Sequence, residues 1–244
     1  MPNPTAAMLV IGDEILSGRT KDTNTNYLAT ALTEAGIDLK EARVVSDDQD
    51  AIVEAVQTLS GRYDHVFTSG GIGPTHDDIT ADAIGAAFGA HVDIRDDARA
   101  LLAAHYERQG MEFNAARQRM ARIPDGAVLI DNPVSIAPGF TLGNVNVMAG
   151  VPKVFHAMVA SVLPQMTGGA PLSSETLRID MGEGDIAGPL GALAEEFAEL
   201  SFGSYPFQKP DGRYGSNVVV RGTDRAELLG AIHALAARLG IADE

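Results

Sequence analysis

Cysteine is absent from the 244 residues, and so are long apolar segments. Without cysteine the chain can form no disulfide, no thiolate metal site and no thiol nucleophile, which fits a reducing compartment. No stretch approaches about 18 uninterrupted apolar residues, and Met1 to Thr5 lacks the basic start of a signal peptide. We therefore expect a soluble, cytoplasmic protein with no membrane partner.

Basic residues are scarce. The chain has 18 Lys and Arg against 33 Asp and Glu, a formal net charge of -15. This balance argues against binding of nucleic acid or of an anionic membrane surface, since both depend on neutralising many phosphates. A small phosphorylated ligand stays compatible, because it needs only a few N–H groups, one or two cationic side chains and a metal ion.

Several common motifs are also missing. There is no Gly-Lys pair for a Walker A loop, no G-x-G-x-x-G and no Gly-x-Ser-x-Gly elbow. The histidines show no metal-ligand spacing. His76 has a functional case because it lies inside a glycine-rich run, but a surface role is equally compatible.

That glycine-rich run is the most informative stretch of the sequence. His65 to Thr68 is apolar and β-favouring, three of the next residues up to Gly73 are glycines, and a helical pattern follows from Ile79. The pattern predicts a strand, a tight loop and a helix. Glycines let the backbone approach a ligand closely, and free N–H groups at a helix start favour negative charge, so the loop could hold a phosphate.

Asp77 and Asp78 complicate this interpretation, because carboxylates at the predicted helix start repel an anion. A divalent cation held jointly by carboxylate and phosphate oxygens, as Mg²⁺ usually is, removes the conflict. The alternative is that one aspartate serves only as the N-cap of the helix. The residues alone leave both possibilities open.

The first two thirds of the chain alternate strands and helices. Strands are predicted at Ala6 to Ile11, Leu39 to Val45 and His65 to Thr68, each followed by a helix, which implies a parallel, helix-covered sheet. Further strands are expected around 127–130 and 145–149, with residues 137–140 as the turn between them. Proline at position 152 opens another helix.

We expect a boundary between residues 166 and 172, because Thr167 to Pro171 has the composition of a linker. The units are then 1–166 and a small α+β unit, 172–244. In the second unit we predict strands at 176–181, 202–207 and 216–221, a helix from Pro189 to Leu200, and a last helix capped by Asp224. Gly188 to Gly191 imitates the Gly-x-x-Gly of RNA-binding KH modules, but helix-start chemistry explains it better.

Several runs together resemble a known family. They are Gly12-Asp13-Glu14-Ile15-Leu16-x-Gly18, Asp22-Thr23-Asn24, the run from Thr68 to Thr80, and Met148-Ala149-Gly150-Val151-Pro152. The chain resembles the molybdenum-cofactor-biosynthesis, or molybdopterin-binding, domain, and within it the amino-terminal part of the CinA-like competence/damage-inducible A proteins. Residues 182–187 and 203–206 are similar, more loosely, to the small second domain of those proteins.

The resemblance implies a three-layer α/β/α domain around a mostly parallel sheet, plus a small C-terminal α+β domain, in a homo-oligomer that is a dimer or trimer. It implies a pterin or dinucleotide ligand held with a divalent metal, Mg²⁺ or similar, and allows molybdopterin itself as the ligand. Asp78 and Asp47 match the family's catalytic carboxylates, and Asp78, Asp47 and Asp13 its metal ligands. The implied substrate-binding residues are Gly12, Asp13, Glu14, Ser69, Gly70, Gly71, Gly73, Thr75, Gly150 and Pro152.

Relatives of this kind are associated with metal-dependent pyrophosphate hydrolysis of ADP-ribose or FAD-like dinucleotides, so we expect such a pyrophosphatase, with Lys153 or Arg19 as a cationic helper. The alternatives are molybdopterin adenylyl or molybdate transfer, and a non-catalytic ligand-binding oligomer. Residue 149 is alanine where many relatives have proline. No segment corresponds to the deamidase domain that often follows in these proteins, so that activity is not expected.

Overall fold

The computed structural model describes residues 2–241. By its contacts the chain divides into two compact units, Met1–Gly169 and Ala170–Glu244. Among the described residues, no helix combines the length and the apolar character needed to cross a membrane.

The first unit is built on a six-stranded sheet with the order β2-β1-β3-β8-β7-β6. Its strands are β1 (Thr5–Ile11), β2 (Asp38–Val45), β3 (His65–Ser69), β6 (Val128–Ile130), β7 (Gly139–Leu142) and β8 (Val145–Met148). The first four strands in this order are parallel, and the last two pair antiparallel. A separate antiparallel pair joins β4 (Val92–Ile94) to β5 (Arg122–Pro124). The prediction of a mostly parallel sheet is confirmed.

Helices cover both faces of this sheet. They are α1 (Asp13–Leu16), α2 (Asn24–Glu34), α3 (Gln49–Ser60), α4 (Thr80–Phe88), α5 (Asp96–Arg108), α6 (Ala115–Gln118) and α7 (Pro152–Val162), with short 3-10 helices at Arg119–Ala121 and Leu163–Gln165. Successive residues of a strand point to opposite faces, so Leu9 enters the core beneath α3 and α4 while Met8 enters the core beneath α2 and α7. The predicted three-layer arrangement follows from these two cores.

The strand order creates a crevice at one edge of the sheet. β1 lies between β2 and β3, and the chain passes from β1 to β2 before returning to the other side of β1 as β3. Such reversals of strand order leave a gap at the carboxyl ends of the two inner strands, where ligands of α/β proteins bind. Gly12 follows β1, and Gly70 follows β3.

The expected turn at residues 137–140 is wrong. Gly139 begins β7, which pairs with β6 on one side and β8 on the other. A β-carbon on Gly139 would collide with the carbonyl oxygen of Val147, so this glycine permits close approach of two strands. The sequence Ala137-Pro138-Gly139 is typical of a turn, but only Ala137 and Pro138 lie outside the strand.

The second unit is a three-stranded antiparallel sheet, order β10-β11-β9, with two helices. Its elements are β9 (Ser173–Ile179), α8 (Glu183–Glu196), β10 (Ser201–Gln208), β11 (Tyr214–Gly222) and α9 (Arg225–Arg238). Asp224 caps α9 as predicted, because its Oδ1 accepts hydrogen bonds from the backbone N–H groups of Ala226 and Glu227 at 2.8 and 3.3 Å.

The predicted start of α8 is wrong. The helix begins at Glu183, so Pro189 and the Gly188 to Gly191 run lie in its interior. Proline in a helix removes one backbone hydrogen bond. Ile186 and Leu193, which lie before and after Pro189, are fully buried in the core of this unit and stabilise the helix there. Helix-start chemistry therefore does not explain the glycines there.

Candidate active site

Three loops meet at the carboxyl ends of β1, β3 and β8. The Gly70 N–H donates to the carbonyl of Met148 at 3.1 Å, and a β-carbon on Gly150 would lie 3.3 Å from the Gly70 α-carbon. The Gly12 N–H donates to the Val45 carbonyl, also at 3.1 Å. A β-carbon on Gly70 would collide with the Ile11 carbonyl oxygen, so a side chain at position 70 would separate the loops.

Asn24, the first residue of α2, fastens two of these loops together. Its side-chain nitrogen donates to the Ser69 hydroxyl at 2.7 Å and to the Gly150 carbonyl at 2.8 Å. The residue is only 5% exposed. Asp22 fixes the start of α2 by accepting from the backbone N–H groups of Asn24 and Thr25 at 2.9 and 3.2 Å. The Asp22-Thr23-Asn24 motif is thus a structural fastening at the site.

The glycine-rich loop winds over the start of α4, which confirms the predicted strand, loop and helix. Gly70 and Gly71 have φ angles of 115° and 68°, in the region that favours glycine. The Thr80 hydroxyl donates to the Gly70 carbonyl and the Thr80 N–H to the Gly71 carbonyl, each at 3.0 Å. A β-carbon on Gly71 would collide with that hydroxyl.

The interpretation of Asp78 as a helix N-cap is wrong. α4 begins at Thr80, and its N-cap residue, Ile79, makes no side-chain capping bond. Asp78 instead closes the turn before the helix: its Oδ2 accepts from the Thr75 N–H at 2.8 Å and from the Thr75 hydroxyl at 2.6 Å. Gly73 lies against this carboxylate, since a β-carbon there would be 2.7 Å from Asp78 Oδ2.

A group of carboxylates borders the loop after β1. Asp47 Oδ2 accepts from the Asp13 N–H at 2.9 Å. Burial raises the pKa of the Asp47 carboxyl above its ordinary value, and the charges of Asp13, Glu14 and Asp77 raise it further, against the lowering effect of the Asp13 hydrogen bond. The carboxylates repel one another, so a cation would be stabilised among them.

The structure brings together two of the three predicted metal ligands. The Asp47 carboxylate accepts from the Asp13 backbone and is close enough to the Asp13 carboxylate for that charge to raise its pKa, whereas Asp78 accepts from Thr75 in the other loop. Within residues 2–241 no group of three or more His, Cys, Asp or Glu side chains forms a ready metal site. The pair nevertheless fits the usual binding mode of Mg²⁺, in which one or two carboxylates act together with substrate phosphates and water.

Arg119 is a residue at this site that the sequence did not indicate. A cleft beside the glycine-rich loop is lined by Gly71, Gly73, Asp78, Arg119 and, with others, Arg122. Arg119 Nε donates to the Thr75 carbonyl at 3.2 Å and its Nη2 to the Asp78 carbonyl at 3.4 Å. These partners lie more than forty positions earlier, and no motif in the sequence connects them.

The remaining predicted residues lie at the margins of the site. Pro152 opens α7 and, with Glu14, Ser69 and Gly150, lines a cavity of about 50 Å³. Lys153 and Arg19, suggested as cationic helpers, are exposed. The His76 side chain is 99% exposed, 3.8 Å from Asp77, in agreement with a surface role.

Comparison with protein families identifies the first unit. The family model described as "Probable molybdopterin binding domain" matches residues 7–168. The chain belongs to this family. A second model, described as "FAD synthase, middle domain", matches residues 171–243. The resemblance inferred from the glycine-rich run is confirmed by the first match.

Individual relatives show how far the similarity extends. A "CinA-like protein" of Citrifermentans bemidjiense is 36% identical over 84% of this chain and 49% of its own length. A "Probable FAD synthase" of Caenorhabditis elegans is 35% identical over 83% of this chain and 44% of its own length. The chain therefore spans about half the length of these curated relatives.

A solved structure supports the fold. The crystal structure of the protein CinA from Thermoplasma acidophilum matches 66% of this chain and 97% of that chain, with a TM-score of 0.61 and 34% sequence identity. The similarity to CinA thus covers a part of the chain equal in size to the first unit and includes its mostly parallel sheet.

Proposed function

We propose that this protein is a metal-dependent nucleotide pyrophosphatase that cleaves the diphosphate of a dinucleotide, with FAD or ADP-ribose as the substrate. The observation that carries the proposal is that the Gly70 to Gly73 loop lies against the end of β1, where a β-carbon on Gly70 would collide with the Ile11 carbonyl oxygen, and that the Asp13 and Asp47 pair follows the same strand edge. One side offers close backbone approach to an anion, and the other offers ligands for a cation.

The names of relatives favour FAD as the first substrate to test. One relative is named "Probable FAD synthase", and the model of the second unit is described as "FAD synthase, middle domain". A CinA-like relative matches 84% of this chain. A ligand with a diphosphate between two nucleoside-like halves is common to FAD and ADP-ribose, so both belong in one panel.

The residues divide the work of hydrolysis between them. The diphosphate lies on the Gly70 to Gly73 loop, and Asp13 with Asp47 would hold a divalent cation, which when bound supplies charge neutralisation and polarises the phosphoryl group. Asp78, held by two hydrogen bonds from Thr75, is a further carboxylate at the end of the loop. Water adds to one phosphorus as the P–O–P bond breaks, so FAD and water yield FMN and AMP.

A second candidate is adenylyl transfer, favoured by the same name, "FAD synthase". The phosphate of FMN or of a pterin, in place of water, would attack the α-phosphorus of ATP, forming a new P–O–P bond while the bond to the β-phosphate breaks and pyrophosphate leaves. The same site would serve, because transfer and hydrolysis place similar charge on the transferred phosphoryl group. Molybdopterin is one acceptor to include.

One panel tests these possibilities. Purified protein with Mg²⁺ is incubated with FAD, ADP-ribose, and ATP plus FMN or a molybdopterin source, and AMP, FMN and pyrophosphate are quantified. We expect AMP release from FAD or ADP-ribose that EDTA abolishes and that an Asp47→Asn variant loses. Product formation only with ATP would establish the transferase, and binding without any turnover would leave a ligand-binding oligomer.

A further inference from the structure

We propose that Arg119 is a phosphate-binding residue of this site, with its guanidinium neutralising one phosphate of the ligand that lies on the glycine-rich loop. The inference rests on the proposed function, because it assigns a residue to the same diphosphate. No motif of the sequence and no comparison assigns a role to this arginine.

The guanidinium of Arg119 is held in place before any ligand binds. Two of its N–H groups donate to the carbonyls of Thr75 and Asp78, which flank the turn at the end of the loop. A guanidinium has five donors in a rigid fork, so the other donors stay available. Because the side chain is already fixed, binding an anion costs it little further conformational entropy.

The positive charge of Arg119 is not neutralised within the described part of the chain. Among residues 2–241 no carboxylate lies within ion-pair distance of Arg119, whereas Arg122 in the same cleft forms an ion pair with Asp82. The Asp78 carboxylate is directed to Thr75, and only the Asp78 backbone carbonyl meets Arg119. The charge of this fixed arginine is therefore available to an anionic ligand in the same cleft.

The surroundings of Arg119 match a phosphate in particular. Gly71 and Gly73 line the same cleft and present backbone without side chains. Backbone N–H groups and a planar guanidinium fork are together the donors that phosphate oxygens accept well. Asp13 and Asp47 are not among the residues that line this cleft, so Arg119 and a cation held by that pair would be separate sources of positive charge for the two phosphates of a diphosphate.

The test compares Arg119→Ala with Arg99→Ala, which removes the same charge from an exposed position on α5. Calorimetry measures binding of inorganic pyrophosphate and of ADP-ribose, each with Mg²⁺, at low and high salt. We expect Arg119→Ala to weaken both about tenfold to a hundredfold, the usual effect of losing a charged hydrogen bond, and Arg99→Ala to bind as the wild type. The wild-type affinity should fall more steeply with salt than that of Arg119→Ala.

Three results would count against the assignment. Wild-type affinity in Arg119→Ala would overturn it directly. Weaker binding with an unchanged salt dependence would show that Arg119 only holds the two carbonyls, which also overturns it. Failure of the wild-type protein to bind either compound would instead contradict the proposed function, and the inference with it.

Discussion

Asp78 Oδ2 accepts two hydrogen bonds from Thr75, one from the backbone N–H at 2.8 Å and one from the hydroxyl at 2.6 Å. This carboxylate is therefore a structural part of the turn that ends the glycine-rich loop. Its other oxygen makes no such bond to Thr75 and is the atom through which Asp78 would act on a ligand or metal.

Replacing Asp78 by asparagine separates these two roles. Asparagine retains one acceptor oxygen for Thr75 but removes the negative charge, so we expect the melting temperature to change little while AMP release falls by about tenfold to a hundredfold or more. Asp50→Asn, an exposed carboxylate of α3, is the matched control. Full activity in Asp78→Asn would restrict Asp78 to the turn.

Gly71 and Gly73 should respond differently to alanine. Gly71→Ala combines a positive φ with a collision against Thr80, so we expect a loss of about 1–3 kcal/mol in the free energy of unfolding. Gly73 has no positive φ, and its added β-carbon meets only the Asp78 side chain, so stability should fall less and pyrophosphate binding should weaken more. Urea unfolding measures the loss of stability, and calorimetry measures pyrophosphate binding. Gly230→Ala in α9 is the control, because a β-carbon at that position would contact nothing. Equal effects of Gly71→Ala and Gly73→Ala would contradict the prediction.

Asn24→Ala should destabilise the contact between the loops that follow β3 and β8. It removes both donors to Ser69 and Gly150 at a buried position, so we expect the free energy of unfolding to fall by about 1–3 kcal/mol. Asn26→Ala, exposed on the same helix, should stay within about 0.5 kcal/mol of the wild type. Urea titration of both variants measures the free energy of unfolding. Similar losses for the two variants would show that the Asn24 hydrogen bonds do not stabilise the protein.

The free energy of unfolding should depend on pH at the acid end because of Asp97. The Arg95 guanidinium, bonded to both carboxylate oxygens at 2.9 and 2.5 Å, lowers the pKa of Asp97 from 3.8 to about 2. A lowered pKa stabilises the folded state above the ordinary pKa, and this stabilisation is lost as the pH falls through the lowered one.

The Asp97 side chain is 54% exposed, so its contribution at pH near 7 should be at most about 1 kcal/mol. We expect Asp97→Asn to be less stable than the wild type by up to that amount at neutral pH. Urea midpoints measured from neutral pH down to about pH 2 should begin to approach one another below about pH 4 and differ least near pH 2. A difference that persists unchanged at the acid end contradicts the ion pair as its source.

A protein ending at Gly169 should fold and bind pyrophosphate. Gly169 N–H donates to the Gly36 carbonyl at 2.9 Å and Met166 packs on the core under α2 and α7, so ending at Gln165 instead should lower the melting temperature. Circular dichroism and calorimetry test both lengths. If the full chain binds and the folded 1–169 protein does not, the ligand also needs the second unit.

Local signals predicted the parallel part of the fold and the glycine-rich loop correctly. Apolar runs such as Ala6 to Ile11 and the glycines at 70, 71 and 73 act through neighbouring residues, so sequence suffices to place them. β7 and α8 were misplaced because Gly139 and Pro189 resemble a turn and a helix start, whereas packing against Val147 and the core around Ile186 decides their conformations.

Contacts between distant positions account for the rest. Arg119 reaches Thr75 and Asp78, and Asn24 reaches Ser69 and Gly150, through bonds that no spacing in the sequence expresses. Asp13 and Asp47 were named together only because the resemblance implies both as metal ligands, and their contact follows from the parallel pairing of β1 and β2. The sequence therefore indicated the edge of the sheet at which the chemistry lies, while the cationic side of the site required the structure.

The hydrogen bond from Asn24 to Gly150 joins residues 126 positions apart. It can form only after both segments have been synthesised, so it constrains the order in which the first unit folds. Such distant closure is slow compared with the formation of helices, because a long stretch of chain must first be brought together. During synthesis, the binding edge stays incomplete until β8 has left the ribosome and joined β3. Ligand binding is therefore possible only after the first unit has folded completely. A nascent chain that ends before β8 should bind no ligand.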